Sequence, residues 1–316
     1  MVGPFHGTLA SAGGSADVHN YSNPYISEQG KSMTRPLVTL IDGIAFGEAP
    51  RWHDGALYLS DIHADRVLRV KETGEMDIVA TFDGPVSGLG WLPDGAMLVV
   101  SMHDRKVLRQ TAPGMFVEHA DLGAIATWHA NDMLVSAQGM AYVGNFGFDL
   151  AATPVAPCTA SIARIAPDGT VAVAAEGLWF PNGMVITPDG TTLIVAQSGT
   201  RVLTAFTIAP NGDLVEPRHW ADLPGEVLPD GICLDAQGHV WVASPTSHEV
   251  LRVGEGGIIT ERIATDQEAI ACTLGGADRR TLFILTAERH DPDWCRAHHT
   301  ARILMTRVDV AGAGIP

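Results

Sequence analysis

Residues 182–196 read NGMVITPDGTTLIVA: an apolar run, a Pro-Asp-Gly corner, and a second apolar run. Proline presets the dihedral at the first corner position and glycine accepts a positive φ, so the stretch reads as a β-hairpin. The unit recurs as GEAPRWHDGALYLS (47–60), SGLGWLPDGAMLVV (87–100), NDMLVSAQGMAYVG (131–144) and DGICLDAQGHVWVA (230–243). A weaker sixth copy, ACTLGGADRRTLFIL, covers 271–285. The turn glycines 55, 95, 139, 190 and 238 stand 40, 44, 51 and 48 residues apart.

After each hairpin comes a third alternating segment: RVLRV (66–70), KVLRQ (106–110), SIARI (161–165), RVLTAFTI (201–208), EVLRV (249–253) and RILMTRV (302–308). Short strands at this period, with no helical periodicity between them, define all-β repeats of propeller-blade size. A parallel β-solenoid has a shorter repeat, and a pair of sandwiches would not produce six equivalents. The expected fold is therefore all-β, a six-bladed β-propeller. LVTLI (37–41), ahead of the first copy, is placed to pair with the last blade and leave no open edge.

The ring gives the repeats a functional meaning. Glu48, Asn131, Asn182 and Asp230 each lie seven or eight residues before their turn glycine. With the turns at one end of the channel, these four side chains meet at the other. Loops after the second strands return to that face and carry His63, His103, Phe146, Phe148, Asp149, Thr246 and residues 287–300. Two carboxylates and two amides are hard oxygen donors suited to Ca²⁺, Mg²⁺ or Mn²⁺, and acceptable to Zn²⁺. Asn-Gly and Asp-Gly are also ordinary turn formers, so the shared register, not any single residue, carries the metal reading. Ser87 takes the same place in the second copy and has no base partner for serine catalysis.

Composition narrows the partners. The chain has 316 residues, 46% of them hydrophobic, and a formal net charge of −16. That charge argues against nucleic acid, and no run of apolar residues is long enough for a membrane helix. Cys158, Cys233, Cys272 and Cys295 contain no CxxC pair, which points to free buried thiols, a reducing compartment and a cytoplasmic location. Residues 1–32 are rich in Gly, Ser and Asn without a signal-peptide core. They read as a flexible leader or extended N-terminus, with the propeller domain occupying 33–316 as a monomer or small homo-oligomer. His290, His298 and His299 fall in AERHDPDWCRAHHTAR (287–302), whose spacing matches no zinc motif and reads as a solvated loop. No G-x-S-x-G elbow or P-loop is present.

FGEAPRWHDGALYLSDI (46–62), HANDMLVSAQGMAYVGN (129–145), WFPNGMVITPDGTTLIVAQS (179–198) and LPDGICLDAQGHVWVAS (228–244) together resemble the gluconolactonase/regucalcin family. That family, also called senescence-marker-protein and luciferin-regenerating-enzyme-like, is resembled from about Leu37 to Val308. The resemblance implies one divalent metal in the central channel, Ca²⁺ first, with Zn²⁺, Mn²⁺ or Mg²⁺ as alternatives. It makes Glu48, Asn182 and Asp230 the metal ligands, Asp230 also the base, and Asn131 with Asp132 substrate contacts. A metal-bound hydroxide is the alternative nucleophile. The implied activity is opening of a small lactone to its hydroxy acid. Esterase or organophosphate hydrolysis on the same metal, and a non-catalytic calcium- or ligand-binding propeller, are the alternatives. Sugar-lactone members often carry arginine two residues before the Asn–Asp pair, where this chain has His129. An imidazole offers fewer donors than a guanidinium, so His129, His103 and Phe148 are the expected substrate-facing residues of a less polar pocket.

Overall fold

The computed structural model describes residues 35–314. The expected leader, residues 1–32, lies outside the described residues. Within them the chain forms six four-stranded antiparallel sheets. Each inner strand is one of the first apolar runs: Gly47–His53, Val86–Trp91, Ala130–Val135, Pro181–Ile186, Ile232–Leu234 and Glu268–Gly275 for blades one to six. Except for partial exposure at two strand ends and at Glu268, every residue of these strands is buried, because neighbouring blades cover both faces.

Blade six closes the ring. Its inner three strands end with Ala301–Arg307, and the fourth strand is Val38–Ile44 from the start of the described chain. Val38 pairs with Met305 and Ile44 with Ala301, so the first and last strands share one sheet as LVTLI predicted. Ring closure removes the open edge of an unclosed sheet stack.

The core divides into six clusters, one at each junction between blades. Leu57, Leu59 and Leu68 of blade one meet Phe283, Leu285 and Ile303 of blade six. Val185 and Ile194 of blade four meet Leu234 and Val242 of blade five. The other four clusters span blades two–three, three–four, five–six and one–two. At roughly 1.5–3 kcal/mol for each large aliphatic side chain withdrawn from water, these junctions dominate the stability of the ring.

The inner strands crowd toward the axis, and glycine makes room there. A Cβ on Gly183 would sit 2.5 Å from the Asp230 carbonyl oxygen and 2.6 Å from the Ile232 nitrogen. On Gly88 it would sit 2.4 Å from the Met133 nitrogen. These glycines directly follow Asn182 and Ser87, so close approach of strands and placement of polar side chains share the same dipeptides.

Two expectations change in detail. The region 287–300 is not all loop: Pro292–His298 is a short helix, with Pro292 in its first turn and Asp291 as N-cap accepting from the Trp294 N–H at 2.7 Å. His298 stacks on Trp294 with ring centroids 4.4 Å apart. Cys233, Cys272 and Cys295 are buried thiols as expected, whereas Cys158 is exposed. No helix among the described residues is long and apolar enough to cross a membrane.

Candidate metal centre and its rim

Each polar side chain at the channel mouth is aimed by a local departure from regular pairing. Register shifts fall between Glu48 and Arg51, Val86 and Leu89, Ala130 and Met133, Pro181 and Met184, and Ala269 and Ala271. Bulges of this kind re-aim side chains near functional sites. In blade five, Asp230 and Gly231 precede the paired strand and bond Ala243 instead, through Asp230 N–H at 3.0 Å and the Gly231 carbonyl at 3.0 Å. Ala49 and Phe180 adopt left-handed φ values of 49° and 52° beside Glu48 and Asn182. Non-glycine residues held there carry backbone strain, which gathers at functional sites.

The four sequence candidates meet. Ser87 Oγ donates to Asn131 Oδ1 at 3.2 Å, and Asn131 Nδ2 donates to Asn182 Oδ1 at 3.1 Å. Asn182 Nδ2 donates to Asp230 Oδ1 and, at 3.1 Å, to Ser198 Oγ. Ser198 in turn donates to the Pro229 carbonyl at 2.6 Å, which ties the Asn182 side chain to the approach to Asp230. Glu48 completes the circle from blade one, its carboxylate accepting from the Ala49 N–H. Gly183 N–H bonds the Asp230 carbonyl, and Gly231 N–H bonds the Ile270 carbonyl. By that correspondence blade six presents Ile270 at the ring level, so five sides of the ring are polar and one is apolar.

The electrostatics show what the ring lacks. Burial, then the charges of Asp230 and Asp132, push the Glu48 carboxyl well above the usual carboxylate range. Burial raises Asp230 to about 7, opposed by the charge of His290 and the Asn182 bond, and helped by Asp132. Neither Glu48 nor Asp230 has a lysine or arginine ion-pair partner among the described residues. Arg51 is the nearby guanidinium, and it is committed elsewhere: Nη2 lies 2.8 Å from Asp132 Oδ1 and 2.6 Å from the Met133 carbonyl. Two buried acids facing each other without a cation, flanked by amide oxygens, fit a hard divalent ion. Glu48, Asn182 and Asp230 have the chemistry to hold one. Among the described residues, no cluster of three His, Cys, Asp or Glu side chains forms a metal site, so the amide of Asn182 is needed to complete this one.

Asp132, a substrate contact in the sequence reading, is engaged by partners within the protein. It is 3% exposed, and Oδ1 accepts from both Arg51 and the Met133 N–H at 2.8 Å. Sequence spacing gives no sign of Arg51, because its partner is in blade three.

The rim joins imidazoles and aromatic rings. His103 and His129 lie with ring centroids 4.1 Å apart, Trp128 stacks on His129 at 4.9 Å, and Phe146 lies 6.0 Å from His129 and 4.6 Å from Phe180. The Ala130 N–H on the Met102 carbonyl and the Phe146 N–H on the His129 carbonyl bring these loops together. Burial, then the nearby His103, lowers His129 to about 4, so its ring is neutral at physiological pH. Phe148 is half-buried in the same loop, with no ring contact to this group among the described residues. On the opposite side, Phe46 packs against His63 at 5.2 Å and His290 at 5.5 Å. Asp61 fixes Phe46 by accepting from the Ala45 and Phe46 N–H groups, both at 2.9 Å, while Arg66 neutralises its other oxygen at 2.8 Å.

Residues 46–288 match the model of the SMP-30/Gluconolactonase/LRE-like region. Pentonolactonase XacC of Haloferax volcanii is 26% identical over 282 residues, covering 85% of this chain and 92% of its own. A solved gluconolactonase of Xanthomonas campestris is 26% identical, with a TM-score of 0.71 over 87% of this chain and 90% of its own. A solved regucalcin of Agrobacterium tumefaciens, described as a calcium-binding protein, has a TM-score of 0.76 at 21% identity, covering 90% of this chain and 97% of its own. With the propeller, the ring of oxygen side chains and this match in hand, the chain belongs to the SMP-30/gluconolactonase/LRE-like family.

Proposed function

We propose that the protein is a divalent-cation-dependent hydrolase that opens a small lactone to its hydroxy acid. The observation that carries this reading is the meeting of Glu48, Asn131, Asn182 and Asp230 at one level of the channel, with both acids lacking a protein cation. Its support in relatives is a pentonolactonase and a gluconolactonase, each 26% identical to this chain.

Glu48, Asn182 and Asp230 would hold the cation, which when bound polarises the lactone carbonyl as a Lewis acid. Asn131 keeps an Nδ2 donor beside Asn182 and is the group to orient a substrate oxygen. Asp230 takes the proton from the attacking water at a carboxylate oxygen. His129, His103 and the rings of Phe146 and Phe148 line the side from which substrate enters, and the apolar phenyl rings lower the local dielectric around the reacting carbonyl. Asp132, tied to Arg51, is a buried counter-ion of the floor in this reading and does not touch substrate.

A second reading, a calcium-binding propeller without catalysis, is favoured by the calcium-binding description of the Agrobacterium tumefaciens relative. A panel of γ- and δ-lactones followed by acid release separates the two. Hydrolysis that stops with chelator and returns with Ca²⁺, Mg²⁺, Mn²⁺ or Zn²⁺ is the expected result. Cation binding with no lactone or ester turned over would leave the binding reading in its place.

A further inference from the structure

The polar ring is bordered by a collar of apolar side chains that runs across five blades. Phe180 of blade four and Phe146 of blade three have ring centroids 4.6 Å apart. Phe146 packs in turn against the buried cluster that holds Met102 of blade two, Phe46 of blade one and Ile270 of blade six. Met102, Phe46 and Ile270 are at most 7% exposed, so that side of the mouth is closed by its own packing. Phe146, Phe180, Trp128 and His129 are only half-buried, which leaves ring surface free on the side of blades three and four.

The backbone sets Phe180 in this place. The residue stands two positions before Asn182, at a left-handed φ of 52°. Its carbonyl accepts from the Ser198 N–H at 3.0 Å, and the Trp179 carbonyl accepts from the Gly199 N–H at 3.0 Å. A Cβ on Gly199 would lie 2.9 Å from Trp179 Cβ, so glycine there lets the two segments close. A strained residue tied on both sides fixes the direction of its ring before any ligand arrives.

Hydroxyl donors of the neighbouring loops are spent inside the protein. Ser198 donates to the Pro229 carbonyl at 2.6 Å, Thr127 to the Gly147 carbonyl at 2.8 Å, and Thr246 to the Glu226 carbonyl. The Asn145 amide donates to the Ser161 carbonyl at 2.8 Å, and its oxygen accepts from the Gly147 N–H at 3.0 Å. A site that selects a polyhydroxylated ring keeps such groups for the substrate, whose hydroxyls must exchange water for protein partners. Beside the imidazoles of His103 and His129, the surface offered here is carbon.

We propose that the substrate is a lactone bearing an apolar substituent, an alkyl chain or an aryl ring, and that Phe180 and Phe146 select it. This deepens the lactonase reading and rests on it. With the ester group at the level of Glu48, Asn182 and Asp230, the substituent projects toward blades three and four and packs on the two phenyl rings. Its burial removes apolar area from water on both partners and dries the mouth above the reacting carbonyl. Phe180 is a specificity-determining residue: it touches the part of the substrate that does not react.

The test uses the full-length, cation-loaded protein and one lactone ring in four forms: unsubstituted, alkylated with chains of increasing length, phenyl-substituted and polyhydroxylated. Over the first few methylenes kcat/KM is expected to rise about fourfold for each. The polyhydroxylated ring should fall below the unsubstituted one. In Phe180→Ala the ratio of kcat/KM, phenyl-substituted over unsubstituted, should drop about tenfold, with the change carried by KM. Phe146→Ala, in a different loop, should lower the same ratio, and Phe180→Leu should keep the alkyl preference while losing the phenyl one. Calorimetric cation binding by Phe180→Ala should match the parent, which separates substrate selection from support of Asn182. A ratio unchanged in both alanine variants, equal losses on all four forms, or a loss accompanied by weakened cation binding would each overturn the assignment. Where Phe180→Ala fails to fold, Phe180→Leu and Phe146→Ala decide it. An active parent that prefers the polyhydroxylated ring defeats this proposal alone, while a parent inactive on every lactone defeats the lactonase reading and this proposal with it.

Discussion

Arg51 of blade one reaches past blade two to place Nη2 2.8 Å from Oδ1 of Asp132 in blade three, with both side chains about 95% buried. Blade two permits the crossing because its inner strand is Ser-Gly-Leu-Gly at residues 87–90, and Gly88 lies against the Met133 backbone. Arg51 also donates to the carbonyls of Pro50, at 3.0 Å, and Met133, so one guanidinium fastens the floor beneath Glu48. Even so, burial outweighs the pairing and leaves Asp132 above its usual range.

Arg51→Met should therefore destabilise the fold by about 3–5 kcal/mol, because it leaves a buried carboxylate unpaired. Pairing it with Asp132→Asn should recover most of that loss. Urea unfolding of both variants measures this, and a single variant within 1 kcal/mol of the parent, roughly the worth of an exposed pair, would remove Arg51 from the floor.

The pH dependence of the cation-free protein has a defined sign. Glu48 and Asp230 both have folded-state pKa values above the ordinary range, Asp230 at about 7. Between roughly pH 4, where free carboxyls ionise, and pH 7, the native state holds protons that the unfolded state has lost. Stability should then fall as pH rises through that window. With chelator present, Tm at pH 5 should exceed Tm at pH 8, and a saturating divalent cation should shrink the difference. A Tm that rises from pH 5 to pH 8 in chelator contradicts the assignment of these two acids.

Gly183→Ala tests the close approach of blades four and five. Its Cβ would meet the backbone at 2.5–2.6 Å, and backbone yields little, so a cost of about 1–3 kcal/mol is expected together with weaker cation binding. Thermal unfolding and cation titration report the two effects. An alanine accepted without change in either would mean that the strands are spaced more loosely than the geometry shows.

His129→Arg replaces a neutral ring with five donors at the rim. Relative turnover of a polyhydroxylated lactone over an unsubstituted one, as a ratio of kcat/KM, should rise by about tenfold, the scale of one or two recovered hydrogen bonds. An unaltered ratio would place substrate selection away from His129.

The inner hairpins stand out in the sequence because strands buried on both faces are continuously apolar, as Pro181–Ile186 is, and their turns need glycine. Ring closure is legible for another reason, the position of LVTLI (37–41) ahead of the first copy, since Val38–Ile44 is an outer strand exposed along most of its length. The outer strands do not stand out: Met76–Thr81 and Ile258–Ala264 face solvent and mix polar with apolar residues. Ser87, Asn131 and Asn182 come together because equivalent repeat positions coincide in space. The Arg51–Asp132 pair has no such periodicity and links residues 81 apart. Glu268 precedes the weakest copy, where Ile270 replaces the polar residue that marks the ring elsewhere, and only the folded blade shows it beside His290.

The most direct measurement is the rate of lactone opening by chelator-treated protein as a single divalent cation is titrated back, run beside Asp230→Asn. Hydrolysis should be absent at zero cation, should return for the parent with a saturable one-site dependence, and should not return for the variant, which remains folded by circular dichroism. A parent rate independent of cation, or an Asp230→Asn variant that recovers equally, would contradict it.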